Sequence, residues 1–365
     1  MKKYDLSKGI RVIGLMSGTS LDGLDICCVD FTFDGSKWNY NIVKAESVSY
    51  PEDIKDGLGR AQTMTALEYA RFNSDYGIHL GQQVSAFMER NGIRPDLIAS
   101  HGHTIFHQPG VRFTAQIGSG AGIAAETGVD CVCDFRTTDV ALYGQGAPLV
   151  PIGDRSLFAE YDYCLNMGGF SNISYQDGDI RRAYDISPVN YVLNHYMRQV
   201  GEDFDRDGEH ASRGHVCKPL FDALNSLDFY TRKGPKSLGR EWVENEVLPL
   251  IEDYSARFFL TLEDKLATFC EHVAYQIGSH ISAKPDGRSR VLLTGGGALN
   301  KYLVSRMQAL APQCEYCIPD AFTINFKEAL IFALLGAMYV ADIPSCLKSV
   351  TGARHDNIGG CLYKA

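Results

Sequence analysis

Residues Ile10–Phe33 read IRVIGLMSGTSLDGLDICCVDFTF. Two apolar, β-branched runs, Ile10–Met16 and Leu24–Phe33, flank a turn of small residues, Ser17–Gly23. Short apolar runs separated by a Gly/Ser/Thr turn predict a strand, a tight turn and a second strand. No Lys stands in the turn and a strand follows it, which excludes a Walker A loop and a Rossmann fingerprint, since both open a helix.

The same grammar returns in the second half. Tyr163–Met167 is extended and apolar, Gly168–Asn172 makes a turn, and a strand continues from Ile173. A further strand reaches Tyr184 and ends at Asp185, and Arg290–Leu293 runs into Thr294-Gly295-Gly296-Gly297. Two halves that open alike predict a duplicated α/β architecture with a cleft between two lobes. The expected lobes are residues 1–135, completed by about 345–365, and residues 136–344. The Gly- and Pro-rich stretch Tyr143–Asp154 is the expected crossing. Helical periodicity covers Met64–Asn91, with Gly92 at its end. The longest apolar run, Ala329–Ala341, falls short of the roughly 20 residues of a bilayer span and predicts a buried helix.

Composition narrows the function. The chain has 365 residues and a formal charge of −9. An acidic chain of this kind is not a general nucleic-acid binder, which needs a basic face to neutralise phosphates. It can still hold one nucleotide through backbone amides. Eleven cysteines scattered through so long a chain fit a reducing compartment. Positive charge at the start, with no apolar stretch behind it, does not make a secretory signal. The expectation is a cytoplasmic protein with no membrane and no nucleic-acid partner.

Gly18-Thr19-Ser20-Leu21-Asp22-Gly23 combines glycines, hydroxyls and one carboxylate. Glycine lets backbone amides curl around phosphate, Ser and Thr add donors, and Asp22 suits Mg²⁺. The same residues also make an ordinary Gly-rich hairpin. Two further glycine turns after strands, Gly168-Gly169 and Gly295-Gly296-Gly297, tip the balance. Three such turns suit the β-phosphate, the γ-phosphate and the adenosine of ATP. Asp185, held at a strand end beside the Ile-Ser-Pro turn, is the candidate general base for phosphoryl transfer. Its bland alternative is a cap on the next helix, with Pro188 in the first turn.

Several apparent motifs read otherwise. His101, His103 and His107 resemble a metal cluster but lack the further ligands zinc requires, and a polar sugar-binding loop or a structural loop suits them better. Cys314-x-x-Cys317 has no partner pair. Cys27, Cys28, Cys131 and Cys133 fall in strand-like runs as small core residues. Asp205–Glu209 echoes a calcium loop but lacks the later ligands.

Taken together, the motifs resemble one family. Leu15–Asp25 resembles the opening signature of the anhydro-N-acetylmuramic acid kinases. The resemblance continues in order through His101-Gly102-His103-Thr104 with His107 and Pro109, Gln116-Ile117-Gly118, and Asp134-Phe135-Arg136 with Asp139. It goes on through Gly144–Leu149, Asn166–Asn172, Lys236–Glu241, Thr294–Asn300, Lys327-Glu328-Ala329 and Thr351–Arg354. It implies the two-domain actin/hexokinase/Hsp70 fold, ATP and Mg²⁺ as cofactors, an amino-sugar substrate and a homodimer. It implies that Gly18, Thr19, Ser20, Leu21, Asp22, Gly23, Leu24 and Asp25 bind the phosphates, with Asp22 on the metal, and that Gly295–Gly297 face the nucleoside. It implies that His101, His103, Asn166, Gly168, Gly169 and Glu328 lie near sugar or phosphate, and that Asp185 deprotonates a water that opens the anhydro ring. The family pattern Asp-Thr-Gly-Pro-Gly-Asn is here Asp185-Ile186-Ser187-Pro188-Val189-Asn190, and Ile186 and Val189 are expected to narrow the pocket or tilt the sugar. His103 stands where the family more often has Gln, and Phe170-Ser171 also departs from the pattern.

Overall fold

In the computed structural model, residues 4–18, 21, 23–232, 236–284 and 287–365 are described. The chain divides into two compact units, Met1–Leu157 with Phe326–Ala365, and Phe158–Asn325. The boundary thus lies at 157/158 rather than 135/136. The helix Val150–Leu157 stays with the first unit because its Gly153 lies directly against Ile331. The expected crossing segment, Tyr143–Asp154, therefore lies inside that unit, and the returning chain rejoins it at Phe326.

The first unit holds β1 (Ile10–Ser17), β2 (Leu24–Phe33), β3 (Trp38–Val48), β4 (Leu97–Ser100), β5 (His103–Gln108), β6 (Phe113–Ile117) and β7 (Cys131–Cys133). The second holds β8 (Tyr163–Met167), β9 (Phe170–Asp177), β10 (Ile180–Pro188), β11 (Ser289–Thr294) and β12 (Cys314–Cys317); β13 (Cys361–Tyr363) returns to the first. The large sheet of the first unit has the order β13-β7-β4-β1-β2-β3, and that of the second β10-β9-β8-β11-β12.

These orders are the same motif. In each unit the first three strands form an antiparallel meander, and the first strand also pairs in parallel with the fourth. The fourth pairs in parallel with the fifth, β4 with β7 and β11 with β12. This is the ribonuclease H-like order, present twice, as the duplicated opening grammar predicts. Parallel pairing brings several strand ends and their turns to one edge, where α/β sheets bind ligands.

The long helix Ala66–Asn91 starts on a capping box, Thr65 with Glu68, and stops at Gly92, whose φ of 64° suits a left-handed cap. The apolar helix Ala321–Val340 is long and apolar enough to cross a bilayer, but most of it is buried in the fold. Its Ala329, Leu330, Ile331, Ala333, Leu334 and Leu335 are fully buried. It seats on the first sheet because β1 carries Gly14, where a Cβ would lie 2.0 Å from the carbonyl oxygen of Ala329. The missing side chain makes this approach possible. Ile13 and Leu15, the strand neighbours of Gly14, pack on the other face with Leu80, Val84 and Phe87.

Candidate active site

In the second unit, four polar residues line up across four strands. Thr294 of β11 pairs with Asn166 of β8, Asn166 with Asn172 of β9, and Asn172 with Asp185 of β10. Directly paired residues share a face of the sheet. Their strand neighbours Leu293, Leu165, Ile173 and Tyr184 point to the other face, where Leu293, Leu165 and Ile173 belong to the hydrophobic core and Tyr184 packs against it. Alternation therefore puts the polar row opposite the core.

Asp185 does not end its strand. β10 runs on through Pro188, with a bulge between Asp185 and Ser187. An edge strand tolerates proline because no ladder donor is needed on its open side. Nor does Asp185 cap the next helix: Asn190–Arg198 begins after Val189, with no side-chain cap. The helix amides turn instead to the glycine hairpin, where Val189 and Tyr191 N–H donate to the Gly169 carbonyl and Asn190 N–H to that of Gly168.

The Asp185 carboxylate accepts a hydrogen bond from the Leu238 amide through Oδ2 at 2.8 Å, and its own N–H donates to the Lys236 carbonyl at 3.0 Å. Desolvation pushes its pKa above the usual carboxylate value, and the Leu238 N–H works in the opposite direction. A carboxylate desolvated in this way is a stronger base than a free one. Ile186 and Val189, expected to narrow the pocket, are instead fully buried members of the core.

Around this row lie the two glycine turns. At Gly168 and Gly169 a Cβ would meet nothing closer than 3.8 and 3.9 Å, so their outer sides are open. Gly295 is different: its φ is 77°, and a Cβ there would stand 2.7 Å from Asn166 Oδ1. Asn166 also accepts from Thr294 Oγ1 at 3.5 Å. Asn166, Gly168, Gly169, Gly295, Gly296, Gly297 and Asp185 therefore belong to one end of one sheet.

The first unit carries a second group. His101 is buried, with Nδ1 2.9 Å from the Gly102 carbonyl and Nε2 receiving Arg136 Nε and Nη2 at 3.1 and 2.9 Å. A guanidinium only donates, so Nε2 is bare and the proton sits on Nδ1. Burial, then the Arg136 charge, hold the imidazole well below its usual pKa. Arg136 is itself lowered to about 10 by desolvation, and Glu328 opposes that shift. Glu328 is solvent-accessible, yet protein crowds it enough that desolvation raises its pKa, against the pull of Arg136. One helical turn on, Phe332 places its ring 4.6 Å from that of His101.

Arg136 also donates to the Gly146 carbonyl through Nη1 at 2.6 Å. The fully buried Asp139 holds the same loop: it accepts from Gly146 N–H at 2.8 Å, Thr351 Oγ1 at 2.9 Å and Asn357 Nδ2 at 2.8 Å. The Gly144–Pro148 and Thr351–Arg354 motifs thus converge on Arg136 as its support.

Beside the opening turn, a chain of hydroxyls runs from Tyr76 to Tyr50 (2.8 Å), from Tyr50 to Ser17 Oγ (2.6 Å) and from Ser17 to His103 Nδ1 (2.8 Å). His103 is buried and its pKa is lowered by desolvation, so it meets Ser17 Oγ as a neutral ring. His107 bonds Thr114 Oγ1 at 3.0 Å. These engagements account for the three histidines individually, and no group of three or more His, Cys, Asp or Glu placed to hold a metal ion occurs among the described residues. The acidic loop is likewise structural, since Asp205 accepts from the His210 and Ala211 amides.

Of the opening motif, Gly18, Leu21 and Gly23 form the turn, and Asp25 accepts from Ser47 Oγ at 2.5 Å. Thr19, Ser20 and Asp22 lie outside the described residues. Leu24, expected among the phosphate-binding residues, is a core residue on β2 at 1 % exposure, because strand alternation turns it inward. Sequence reasoning includes Arg136 and Asn172 within motifs but gives neither a role. A single Arg or Asn has many bland uses; pairing across strands reveals Asn172, and the hydrogen bonds to the buried His101 ring reveal Arg136.

The anhydro-N-acetylmuramic acid kinase family model matches residues 10–365. The chain is 35 % identical over 369 residues to the anhydro-N-acetylmuramic acid kinase of Pseudomonas paraeruginosa, covering 97 % of this chain and 99 % of the relative. It is 34 % identical to that of Shewanella denitrificans, covering 99 % and 100 %. Among solved structures, an activator of 2-hydroxyisocaproyl-CoA dehydratase from Clostridium difficile with bound ADPNP aligns at a TM-score of 0.45 and 12 % identity, covering 91 % of this chain and 96 % of that one. A ROK hexokinase from Thermus thermophilus aligns at 0.37 and 14 %, covering 91 % and 100 %. With the family model spanning nearly the whole chain and full-length relatives above 30 % identity, this chain belongs to the anhydro-N-acetylmuramic acid kinase family.

Proposed function

We propose that this kinase opens 1,6-anhydro-N-acetylmuramic acid with water and phosphorylates it, with Asp185 as general base. Asp185 takes a proton from water, whose oxygen bonds to the anomeric carbon. The bond from that carbon to the bridging oxygen breaks, and the freed O6 takes the γ-phosphoryl group of ATP. The products are N-acetylmuramic acid 6-phosphate and ADP. The observation that carries this reading is Asp185 itself: a desolvated carboxylate in a polar row, held by one oxygen through Leu238.

The remaining roles follow from chemistry. Gly18–Gly23 and Asp25 serve the ATP phosphates, as do Gly168 and Gly169, whose open outer sides leave room for a ligand. Gly295–Gly297 face the nucleoside. His101, His103, Asn166 and Glu328 serve the sugar, joined by Arg136. Asp22 is the carboxylate assigned to Mg²⁺; its described neighbour Asp25 already accepts from Ser47. When bound, Mg²⁺ draws charge from the phosphate oxygens in the transition state. The enzyme works as a cytoplasmic homodimer in peptidoglycan recycling.

A coupled ADP-release assay against a panel of amino sugars tests the reading. The anhydro sugar turns over in an ATP-dependent manner, and one oxygen of solvent H₂¹⁸O enters at the anomeric carbon. Phosphorylation of open-ring sugars alone would falsify the hydrolytic half.

A further inference from the structure

Asp185 lies on the edge strand of its sheet, where one side has no strand partner among the described residues. Among the described residues, Tyr230 and the pair Lys236 and Leu238 touch β10 on the two flanks of the bulge. On one flank, Lys236 and Leu238 engage Asp185, carbonyl to amide and amide to carboxylate. On the other, the Tyr230 hydroxyl lies 3.2 Å from Ser187 Oγ and 2.9 Å from His272 Nε2. His272 Nδ1 faces Asn225 Oδ1 at 2.8 Å, so the proton is on Nδ1 and Tyr230 donates to Nε2. Lys236 is fastened in turn, with Nζ 3.2 Å from the Phe229 carbonyl and 4.3 Å from the centre of the Phe229 ring.

We propose that the Leu238 backbone amide is a positioning group for the general base: it locks Oδ2 of Asp185 and leaves Oδ1 as the oxygen that takes the proton. This rests on the reading of Asp185 as base. A carboxylate without that bond rotates about its last torsion, which is broad for Asp. With Oδ2 tied to a backbone amide, only Oδ1 is free among the described residues, and its direction is set by the sheet. The bond also favours the charged form, opposing desolvation. The charged form of the base is thereby supported while it stays partly stripped of water.

The surrounding titratable groups leave this legible in a pH profile. His272 is held down to about 3 by burial, and His280, which meets Tyr184 on β10, to about 4 by burial and then Lys236. Tyr184 and Tyr230 are both raised, chiefly by burial. Lys236 is lowered by desolvation and then by the Arg232 charge. Arg182, on the same strand, is paired with Asp177. Asp185, raised by desolvation, titrates on the acid side with His280 beside it, so the Asp185→Asn comparison identifies its limb.

The test replaces the residue 238 amide by an ester, incorporating the α-hydroxy analogue of leucine by nonsense suppression in the full chain. The side chain stays and the N–H is lost. The acid limb of kcat/KM moves up by about one pH unit and kcat falls, while KM for ATP is unchanged. A folded ester enzyme with an unmoved limb overturns the proposal if Asp185→Asn is inactive; an active Asp185→Asn removes the base reading itself. A second measurement needs no altered backbone. With ¹⁵N-leucine labelling of the native enzyme, the Leu238 amide resonance shifts with pH at the midpoint of the acid limb and loses that titration in Asp185→Asn. A resonance indifferent to that midpoint overturns the proposal even if the ester protein does not fold.

Discussion

Arg136 and His101 are joined by two donors on one acceptor: Nε and Nη2 of the guanidinium both reach the bare Nε2 of the buried ring. The pair fixes the tautomer of His101 and the plane of Arg136 together. Lysine supplies a charge but not the fork. Arg136→Lys is expected to raise KM for the sugar about tenfold, a loss near one hydrogen bond, with little change in KM for ATP. Steady-state kinetics with each substrate varied in turn checks this.

Asp185→Asn removes the base and keeps the shape. Turnover is expected to fall by about 10²–10⁴-fold, the usual worth of a positioned general base. ATP binding, measured by calorimetry, persists. As the proposed general base Asp185 acts deprotonated, and desolvation raises its pKa above 3.8. Activity is therefore lost as pH falls through a midpoint above that value.

His272 makes stability depend on pH. Folded, it titrates at about 3, against 6.5 for a free ring. Between these values the unfolded chain takes up a proton that the folded chain refuses, so stability is full above pH 6.5 and declines as pH falls below it. The slope is about 1.4 kcal/mol per pH unit, or about 2 kcal/mol from pH 6.5 to 5. Urea unfolding at a series of pH values should show a shallower decline for His272→Gln, which keeps a hydrogen-bonding side chain but cannot titrate.

Gly14 sets how closely β1 approaches the apolar helix. Gly14→Val adds a branched side chain where even a Cβ stands 2.0 Å from the Ala329 carbonyl oxygen. A loss of about 3 kcal/mol or more is expected, since neither backbone can give way cheaply. Thermal unfolding followed by circular dichroism measures it, and a melting point within a degree or two of the native one would refute the packing argument.

Much of the architecture is legible in the sequence because its signals are local. Apolar runs beside Gly turns mark β1, β2, β8 and β11, and their repetition announces the duplication. The continuation of β10 through Pro188 is hidden, because proline reads as a break unless the strand is known to lie at an edge. The unit boundary at 157/158 is hidden too, since it depends on Gly153 meeting Ile331, far away in the chain. Of the site, glycines and Asp185 stand out by residue type. The inward side chain of Leu24 is hidden when the motif is read as a string rather than as a strand with two faces. Asn172 and Arg136 emerge only when strands are paired and the His101 ring is seen to be buried.

The row Thr294–Asn166–Asn172–Asp185 runs along the hydrogen-bonding direction, so it works as a ruler whose divisions are the strand spacing. Three gaps of about 4.8 Å place its ends about 14 Å apart. No substitution changes that length by a fraction of a division; only the reach of each side chain can be adjusted. A slip of β10 by one residue would carry the Asp185 side chain to the opposite, oily side of the sheet. The bulge after Asp185 lets the downstream chain change phase without moving it, so variation in the turn that follows is mechanically insulated from the chemistry.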